Sequence, residues 1–516
     1  MSKSKSLLRR LRVVLATLFF VGTTLLFLDV TSALHTWFGW MAKIQFLPAV
    51  LALNVGVILV LVLLTLLLGR VYCSVICPLG ILQDLFAYFG RKQKKHRYSY
   101  SPAKKWLRYG MLALFVVALV AGIGSVAALL APYSAYGRIA QNLFAPLYQW
   151  GNNALAYLAE RCDSYAFYRT EVWIRSLSTF AVAAVTFIAL GILAWRNGRT
   201  YCNTVCPVGT VLGFLSKFSL FRPMIDTSKC NGCGLCAKNC KASCINSAEH
   251  CIDYSRCVVC LDCLDTCNRG AIQYRLRTCK CLAKGTPEAN VAASTDATAG
   301  TSDRCTPDNS RRRFLTVAAA ATTTAVLKAQ QDKVDGGLAF IEDKKVPKRQ
   351  TPIVPPGAQS LYHLAQHCTG CQLCVAACPN QVLRPSSRLE SLMQPESSFE
   401  RGYCRPECTR CSEVCPTGAI QRIDEAEKSA IQVGRAVWIK ENCLAASEGV
   451  WCSNCARHCP VGAIKMVPSN PEDPNSIRIP SINTERCIGC GACENLCPSR
   501  PFSAIYVEGN DRHRLV

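Results

Sequence analysis

The chain has 516 residues, half of them hydrophobic and only 18% charged, a composition that suits a protein with a membrane part. Its formal net charge is +24, but the positive residues are concentrated beside apolar runs, which excludes a nucleic-acid-binding patch as their explanation. Cysteine is the outlier, at 34 residues. Most of these cysteines fall in compact groups of four, which argues against a framework of disulfides.

Four apolar runs are long enough to cross a bilayer, which takes roughly 20 residues. They cover about 13–34, 46–69, 106–131 and 172–195. Lys and Arg crowd the N-terminus and the segment between the second and third runs, whereas the opposite flanks carry few of them. By the positive-inside rule, residues 1–222 are predicted to form a four-span helical domain with both ends in the cytoplasm.

A motif of the form G-R-x-Y-C-x-x-x-C-P-x-G follows the second run at 69–80 and the fourth run at 198–209. The duplication predicts a parallel internal repeat, whose pseudo-two-fold axis brings four thiols together. These redox candidates are Cys73, Cys77, Cys202 and Cys206. Four converging thiols could hold an iron–sulfur centre or act as a redox dithiol pair. The alternative is that each Cys-Pro turn only ends a helix, since Pro78 and Pro207 block its continuation.

Polar residues inside membrane spans are functional candidates by default. Asp29 and His35 lie near the outer end of the first run, and Asn54 lies in the second. Oxidation of a quinol near the outer face needs proton acceptors, so Asp29 and His35 are candidates for a quinol site. The alternative is that these side chains reach the interface or form hydrogen bonds between helices.

Two groups with the spacing C-x2-C-x2-C-x3-C follow the fourth run, CNGCGLCAKNC and CVVCLDCLDTC. In this ferredoxin arrangement three cysteines hold one [4Fe-4S] cluster, and the fourth ligates the other cluster of the pair. One cluster then takes Cys230, Cys233, Cys236 and Cys267, and the other takes Cys257, Cys260, Cys263 and Cys240. Zinc is the alternative metal, but it favours separated C-x2-C knuckles or mixed Cys and His ligands. Residues 223–280 are therefore predicted to be a two-cluster ferredoxin domain.

Residues 281–309 are small and polar, which is typical of a flexible linker. The segment 310–330 then opens with S-R-R-x-F-L, which matches the twin-arginine export pattern, and continues with a short apolar stretch that suits a signal segment. The alternative is a short helix after a chance cluster of arginines. An export signal at this position would place residues 331–516 outside the cytoplasm.

Residues 331–516 contain four further groups, each ending in C-x3-C-P. Their ligands are Cys368, Cys371, Cys374 and Cys378; Cys404, Cys408, Cys411 and Cys415; Cys443, Cys452, Cys455 and Cys459; and Cys487, Cys490, Cys493 and Cys497. The strand-like pieces AIQRI, AVWI, AIKMV and AIYV flank them. We expect four clusters in two pairs, with nested ligand exchange between the first and fourth groups and between the second and third. Adjacent pairing is the alternative.

The remaining cysteines are expected to be incidental thiols. They are Cys162, Cys244, Cys251, Cys279, Cys281 and Cys305.

With these motifs in place, residues 1–280 resemble the NapH-type membrane ferredoxins, which have four spans, two Cys-x3-Cys-Pro motifs and two cytoplasmic 4Fe-4S motifs. Residues 310–516 resemble the NapG/MauM-type ferredoxins, which are exported by the twin-arginine route and carry four 4Fe-4S motifs. The chain looks like a fusion of the two. The resemblance implies a module that passes electrons from quinol to a periplasmic reductase of the nitrate-reductase type, or that serves methylamine utilisation.

The expected fold class is a membrane α-helical four-span bundle with two α+β ferredoxin-like modules, multi-pass in the bacterial inner (cytoplasmic) membrane. Residues 223–280 are expected in the cytoplasm and residues 331–516 in the periplasm. The expected cofactors are six [4Fe-4S] clusters, with a further iron–sulfur centre at the membrane cysteines left open, and quinol is the expected substrate. Six clusters of charge −2 would reduce the formal net charge to about +12.

We expect an electron carrier between the quinone pool and a periplasmic reductase or its electron-carrier subunit. If the protein is an enzyme, it is expected to be a component of a quinol dehydrogenase. A redox-sensing or maturation protein for a metalloenzyme is the alternative, as is a metal-ion reductase that uses the membrane cysteine pairs. About 30 Å of hydrocarbon would separate the two sets of clusters. Either the quinone pool links them, or the C-terminal half stays in the cytoplasm.

Overall fold

The computed structural model describes residues 2–28, 34–92, 98–277, 334–335, 339–340 and 342–516. The chain forms two compact units, one made of residues 1–277 and 346–516 and the other of residues 278–345. The predicted linker 281–309 and the predicted export signal 310–330 lie outside the described residues, as do Asp29 and three of the incidental cysteines, Cys279, Cys281 and Cys305.

Most of the described part of the first 220 residues consists of helices. They are α1 (Ser2–Leu28), α2 (Leu34–Phe38), α3 (Trp40–Lys43), α4 (Phe46–Leu51), α5 (Val55–Leu68), α6 (Tyr72–Val75), α7 (Pro78–Lys92), α8 (Lys105–Val120), α9 (Gly124–Leu130), α10 (Pro132–Ile139), α11 (Ala145–Arg161), α12 (Leu177–Asn197), α13 (Thr200–Thr204) and α14 (Pro207–Leu215). A π-helical turn at Ala140–Phe144 joins α10 to α11, and a 3-10 turn at Ser216–Phe218 follows α14.

Two helices in the described part of the chain are long and apolar enough to cross a membrane, Leu7–Leu28 in α1 and Leu177–Asn197 in α12. They correspond to the first and fourth predicted spans. The second predicted span is broken before α5, where the Asn54 side chain accepts a hydrogen bond from the Val57 N–H and starts a new helix. The third is broken at Gly122, whose φ of +72° ends α8. The four-span bundle is therefore found only in part.

The first ferredoxin-like part follows directly. It contains β1 (Phe221–Ile225), α15 (Leu235–Lys238), β2 (Ile245–Asn246), β3 (Cys251–Ile252), α16 (Asp262–Thr266) and β4 (Ile272–Leu276). Strand β1 pairs antiparallel with β4, and β2 pairs antiparallel with β3. In the second compact unit, the described residues form the strands β5 (Val334–Asp335) and β6 (Ala339–Phe340), which pair with each other.

The C-terminal part is built from short helices and two-stranded sheets. Its elements are α17 (Leu361–His367), α18 (Leu373–Ala376), β7 (Leu383–Pro385), β8 (Pro395–Ser397), α19 (Arg410–Val414), α20 (Glu425–Ala430), β9 (Ile431–Trp438), α21 (Leu444–Ser447), α22 (Asn454–Arg457), β10 (Ile464–Pro468), β11 (Arg478–Ile482), α23 (Ala492–Asn495) and β12 (Ile505–Leu515). The pairs are β7 with β8, β9 with β12 and β10 with β11. Three predicted strand pieces lie in β9, β10 and β12. The prediction for the fourth, AIQRI, is wrong: residues 419–423 form no strand, and the Gln421 N–H instead bonds to the Gly357 carbonyl.

The two ends of α1 contact different cysteine-rich parts of the chain. Near its start, Arg9 forms ion pairs with Asp262 at 2.9 Å and with Asp265 at 3.2 Å. Near its end, Phe27 packs against Gly137, where an added Cβ would lie 2.3 Å from the carbonyl oxygen of Cys371. At 1.5 Å per residue, Arg9 and Phe27 are about 27 Å apart along the helix. The first ferredoxin-like part and the C-terminal part thus lie at opposite ends of a helix long enough to span a bilayer.

Strand β12 supplies a pH-dependent contribution to stability through His513. Both ring nitrogens are buried without a hydrogen-bond partner among the described residues, and burial lowers the pKa of His513 to about 4. Because this pKa lies below that of the unfolded chain, the contribution is complete above about pH 6.5 and is lost as the pH falls toward 4. We expect a loss of up to about 3 kcal/mol over that range. His513→Gln should flatten this part of the pH profile of thermal unfolding; an unchanged profile would contradict the assignment.

Candidate iron–sulfur sites

The two copies of the membrane cysteine motif fold alike and meet. In each copy a short helix, α6 or α13, carries the first cysteine, and the proline after the second cysteine occupies the first turn of the next helix, α7 or α14. The structure brings together all four predicted cysteines, each 4% exposed: Cys73, Cys77, Cys202 and Cys206. Cys206 lies close enough to the other three for their charges to interact. We call this group the membrane tetrad.

The arginine of each motif reaches across to the other copy. Arg70 donates to the Cys202 carbonyl at 3.2 Å and lies 3.7 Å from its own motif's Cys73 Sγ. Arg199 donates to the Cys73 carbonyl at 2.6 Å and lies 3.9 Å from Cys202 Sγ. Both guanidinium groups are fully buried. In the sequence these arginines indicate only topology, although both copies of the motif contain them, and the structure gives them a second role beside the thiols.

The donor set fits a [4Fe-4S] cluster. A [4Fe-4S] cluster with its four thiolates carries a net charge of −2, and two buried guanidinium groups, Arg70 and Arg199, lie beside the thiols. Each of these arginines also has a buried nitrogen, Nε of Arg70 and Nη2 of Arg199, that finds no hydrogen-bond partner among the described residues. Arg70 forms no ion pair among the described residues, whereas Arg199 already pairs with Asp84 at 2.7 Å. Because buried charge without a counter-charge is costly, the structure favours an anionic group beside Arg70. Such a cluster would supply one-electron transfer.

Asp84 links the membrane tetrad to the first ferredoxin-like part. Its carboxylate accepts from Arg199 Nε at 2.7 Å and lies 3.0 Å from Lys241 Nζ, and Arg12 also pairs with it. Burial alone would raise the pKa of Asp84, but Arg199, Lys241 and Arg12 together hold that pKa well below its usual range. The carboxylate therefore stays ionised, and it holds three elements of the chain together.

Two glycines allow this ferredoxin-like part to approach the membrane tetrad. Gly198 has φ of +67°, and a Cβ there would lie 2.3 Å from the Lys241 carbonyl oxygen, which accepts the Arg199 N–H. The equivalent Gly69 has φ of +78°, and a Cβ would lie 2.9 Å from Val259. Because these φ values and contacts suit only glycine, the glycine of each motif positions one ferredoxin loop.

The ferredoxin loop next to the membrane tetrad encloses a cavity lined with cysteines. Its wall contains the four predicted ligands of the second cluster, Cys240, Cys257, Cys260 and Cys263. The position of Cys240 beside Cys257, Cys260 and Cys263 supports the prediction that Cys240 ligates the cluster of the second group. Cys244 also lines the cavity, with its Sγ 3.5 Å from Cys240 Sγ. No spacing pattern in the chain distinguishes Cys244 from an incidental thiol, so its place in this wall is evident only from the fold.

The other predicted cluster of this part lies nearer the surface. Cys233 is exposed, and Cys230 and Cys236 are half-buried. Cys236 and Cys267 pack against the same small core around Leu264 and Ile272, as expected if Cys267 completes the first group. A centre held there would be open to a partner.

In the C-terminal part, the third and fourth groups exchange ligands with each other. One cavity is lined by Cys487, Cys490, Cys493 and the last cysteine of the third group, Cys459. A second cavity is lined by Cys443, Cys452, Cys455 and the last cysteine of the fourth group, Cys497. Backbone N–H groups point at two of these sulfurs, from Ala463 to Cys459 at 3.2 Å and from Ala504 to Cys497 at 3.3 Å.

The first and second groups also exchange ligands with each other. Cys415 lies close enough to act electrostatically on Cys368, Cys371 and Cys374. Cys378 acts in the same way on Cys404 and Cys411. The nested pairing expected from the sequence is therefore wrong, and the adjacent alternative is what the structure contains. Groups close in sequence pair because a short loop suffices to bring the last cysteine of one beside the first three of the other.

The described cysteines form no disulfide, in agreement with the expectation from their grouping. Among the same residues, no three Cys, His, Asp or Glu side chains lie close enough together to hold a single metal ion. The cysteines line cavities between loops.

The adjacent pairing predicts which cysteines share a spectroscopic signal. Cys415→Ser and Cys371→Ser should perturb the same cluster signal in electron paramagnetic resonance of the reduced protein, because both residues belong to one ligand set. Cys378→Ser should perturb a different signal, the one also changed by Cys408→Ser. If Cys415→Ser and Cys408→Ser altered the same signal instead, each group would bind its own cluster without exchange.

Buried polar and aromatic residues connect the membrane tetrad to the C-terminal part. Arg138 is fully buried in α10 and lies close enough to interact with both Tyr201, next to Cys202, and Cys371. Its Nη1 donates to the Ala128 carbonyl at 2.6 Å, while Nε and Nη2 find no partner among the described residues. The sequence suggests only an outer-side charge at this position, whereas the structure places Arg138 between two sets of cysteines.

Direct hydrogen bonds join the C-terminal part to the helical region near Arg138. Arg175 donates to the Val375 carbonyl at 2.7 Å, Trp173 donates to Gln381 at 3.0 Å and Asn142 donates to Gln372 at 2.9 Å. Helix α18 and the residues on both sides of it therefore rest on the segment between α9 and α12.

Of the polar residues predicted for a quinol site, the structure describes His35 and Asn54. His35 lies in α2, and Asn54 caps α5. Asp29 lies outside the described residues, so the Asp29 and His35 pair remains a prediction.

Comparison with known protein families matches both kinds of cysteine site. A family model described as a 4Fe-4S binding domain matches residues 50–96 and 179–224, the two copies of the membrane cysteine motif. A 4Fe-4S dicluster domain matches residues 367–419 and 450–500. The first match spans the first and second cysteine groups, and the second match spans the third and fourth groups except Cys443, which agrees with the adjacent pairing.

Curated relatives cover different portions of the chain. Uncharacterized protein MJ0749 of Methanocaldococcus jannaschii is 26% identical over 270 residues, 51% of this chain and 86% of that protein. Ferredoxin-type protein NapG of Escherichia coli is 29% identical over 205 residues, 37% of this chain and 82% of NapG. Ferredoxin-type protein NapF of the same organism is 28% identical over 179 residues, 34% of this chain and 99% of NapF. No solved structure gave a significant match. The chain is thus an iron–sulfur electron-transfer protein related to the Nap ferredoxins.

Proposed function

We propose that this protein conducts electrons across a bacterial inner membrane, between the quinone pool and a redox partner on the periplasmic side. In this proposal it is a fusion of a NapH-type membrane ferredoxin with a NapG/MauM-type exported ferredoxin. It carries six [4Fe-4S] clusters in its ferredoxin parts and a seventh at the membrane tetrad. Quinol is the electron donor, and a periplasmic reductase or its electron-carrier subunit is the acceptor.

The observation that carries the proposal is a succession of cysteine sites along α1, with buried arginines between neighbouring sites. The cavity of Cys257 adjoins the membrane tetrad through Arg70, which acts on Cys257. The tetrad adjoins the C-terminal part through Tyr201 and Arg138, which acts on Cys371. The residues themselves exclude water, hold the cysteines in place and balance negative charge. Such a succession supports electron transfer within the protein across the roughly 30 Å of hydrocarbon between the two sets of clusters.

The exposure of residues at the two ends of this succession of cysteine sites supports electron exchange with partners there. Cys233 is exposed at one end, and at the other end the half-buried Cys452 follows the exposed Trp451. An electron carrier needs a centre near the surface at each end, whereas a sensor needs none. This feature favours the carrier over the sensing or maturation alternative.

One-sided reduction in quinone-free liposomes tests the proposal. The full chain is reconstituted, and dithionite, which does not cross the bilayer, is added outside while cluster bleaching and paramagnetic signals are recorded. We expect all clusters to be reduced whichever way each molecule is inserted. If a fixed fraction stays oxidised until a membrane-permeant mediator is added, the two sets are not connected within the protein.

A further inference from the structure

A cavity of about 220 Å³ lies between α1, α7 and the first ferredoxin-like part. Its lining includes Arg12 and Val13 of α1, Asp84, Leu85 and Tyr88 of α7, and Lys241. We call it the α1–α7 cavity. It contains none of the cysteines predicted to ligate clusters, and it is separate from the outer-end residues Asp29 and His35.

The inner wall of the α1–α7 cavity is charged but nearly balanced. The cations Arg9, Arg12 and Lys241 face the carboxylates Asp84 and Asp262. Lys241 Nζ lies 3.0 Å from Asp84 and 3.2 Å from Asp262. Nε of Arg12 is buried and finds no hydrogen-bond partner among the described residues. A wall of this kind suits a neutral ligand that accepts hydrogen bonds from cations and, in its reduced form, donates them to carboxylates.

The mouth of the cavity is apolar. Val13, Leu85 and Tyr88 line it, and each is exposed to about the same extent, 45%, 46% and 50%. Val13 lies within the part of α1 that is long and apolar enough to cross a membrane. The mouth therefore opens where a lipid-soluble molecule would approach, between α1 and α7.

The cavity also touches two cysteine sites. Lys241 follows Cys240, and Asp262 precedes Cys263, so two wall residues are neighbours of ligands of one predicted cluster. On the other side, Arg12 donates to the carbonyl of Ser74, the residue after Cys73. A ligand in the cavity would lie beside both the membrane tetrad and the ferredoxin cavity of Cys257.

We propose that the α1–α7 cavity binds the head group of a quinone, with Arg12 and Lys241 donating to its oxygens and the isoprenoid tail leaving past Val13 and Leu85. This inference rests on the proposed function and adds to it the place where the quinone binds. An anionic phospholipid head group is the other source of a polar group with an apolar tail. Each cation of the wall, Arg9, Arg12 and Lys241, already pairs with a carboxylate, which disfavours an anionic head group, whereas a quinone is neutral in both its oxidised and fully reduced forms.

Photolabelling with an azidoquinone of short isoprenoid tail tests the proposal on the full chain in membranes. Labelled peptides, mapped by mass spectrometry, are expected to come from α1 around Val13 and from α7 around Leu85. Val13→Trp should fill the mouth and lower labelling about tenfold. Val14→Trp is the matched control, because Val14 is an exposed neighbour that does not line the cavity, and it should label like the wild type. Leu85→Trp, with Phe89→Trp as its control, gives a second pair if Val13→Trp fails to fold.

Three outcomes would overturn the proposal. They are labelling near His35 instead of the cavity, equal loss of labelling in Val13→Trp and Val14→Trp, and displacement of the label by phosphatidylglycerol but not by unlabelled quinone. Labelling does not depend on electron transfer within the protein. If one-sided reduction succeeds but the label goes elsewhere, only this site is wrong, and if the label enters the cavity while reduction fails, the proposed function is wrong.

Discussion

Replacing Asp84 with asparagine is expected to destabilise the protein by about 3–5 kcal/mol, the usual cost of leaving buried charges without their partner. Asp84 is the shared counter-ion of Arg12, Arg199 and Lys241, and the side chains of all three cations are at most 10% exposed. Of the three, only Lys241 has a second carboxylate in reach among the described residues, Asp262 at 3.2 Å. An amide at position 84 would leave two buried guanidinium groups without an anion.

The loss should be visible in two measurements on the detergent-solubilised chain. The midpoint of thermal unfolding should fall, and Lys241 should become accessible to amine-reactive reagents, because its contact with α7 holds the first ferredoxin-like part in place. Asp265→Asn is the matched control: Asp265 pairs with the part-exposed Arg9, and such pairs are worth about 1 kcal/mol or less. Equal effects of the two substitutions would mean that Asp84 is not the central ion of this network.

The convergence of the membrane cysteines could be predicted from the sequence, because a duplicated motif at the end of two apolar runs implies a two-fold arrangement. The ligand exchange of Cys240 could be predicted for a similar reason, since the spacing itself encodes it. Both inferences depend on the local spacing of cysteines, which can be read directly from the sequence.

The charged residues of the site could not be assigned from the sequence. Arg70 and Arg199 occur on the side where topology alone would place a positive charge, and Arg138 is one of few charges on the opposite side, so the burial of all three beside cysteines has no separate signal. Asp84 lies in an ordinary amphipathic helix, and its three partners come from residues 12, 199 and 241. Long-range ion pairs of this kind depend on tertiary contacts that periodicity does not reveal.

The breaks in the second and third apolar runs show a different limit. A long run of apolar residues predicts that a segment is buried or in lipid, but not that it is one continuous helix. Asn54 and Gly122 are the available signals for the ends, a capping side chain and a glycine with positive φ. The pairing of the four C-terminal groups is equally open in the sequence, since the same spacing permits adjacent and nested exchange, and only the packing of the loops distinguishes them.

Cys206→Ala is expected to separate the two sets of clusters without removing either. The full chain should contain about 28 iron atoms if seven [4Fe-4S] clusters are present, and the variant should lose about four of them, because three cysteines no longer balance Arg70 and Arg199 around a cluster. Alanine is chosen over serine because a serine oxygen can still ligate iron. In quinone-free liposomes, dithionite added outside should then reduce only the clusters on its own side.

Cys162→Ser, at an exposed cysteine outside every group, should keep all its iron and remain fully reducible from one side. Full iron content in Cys206→Ala would show that the membrane tetrad holds no cluster, and complete one-sided reduction despite the loss of iron would show that electrons cross by another route.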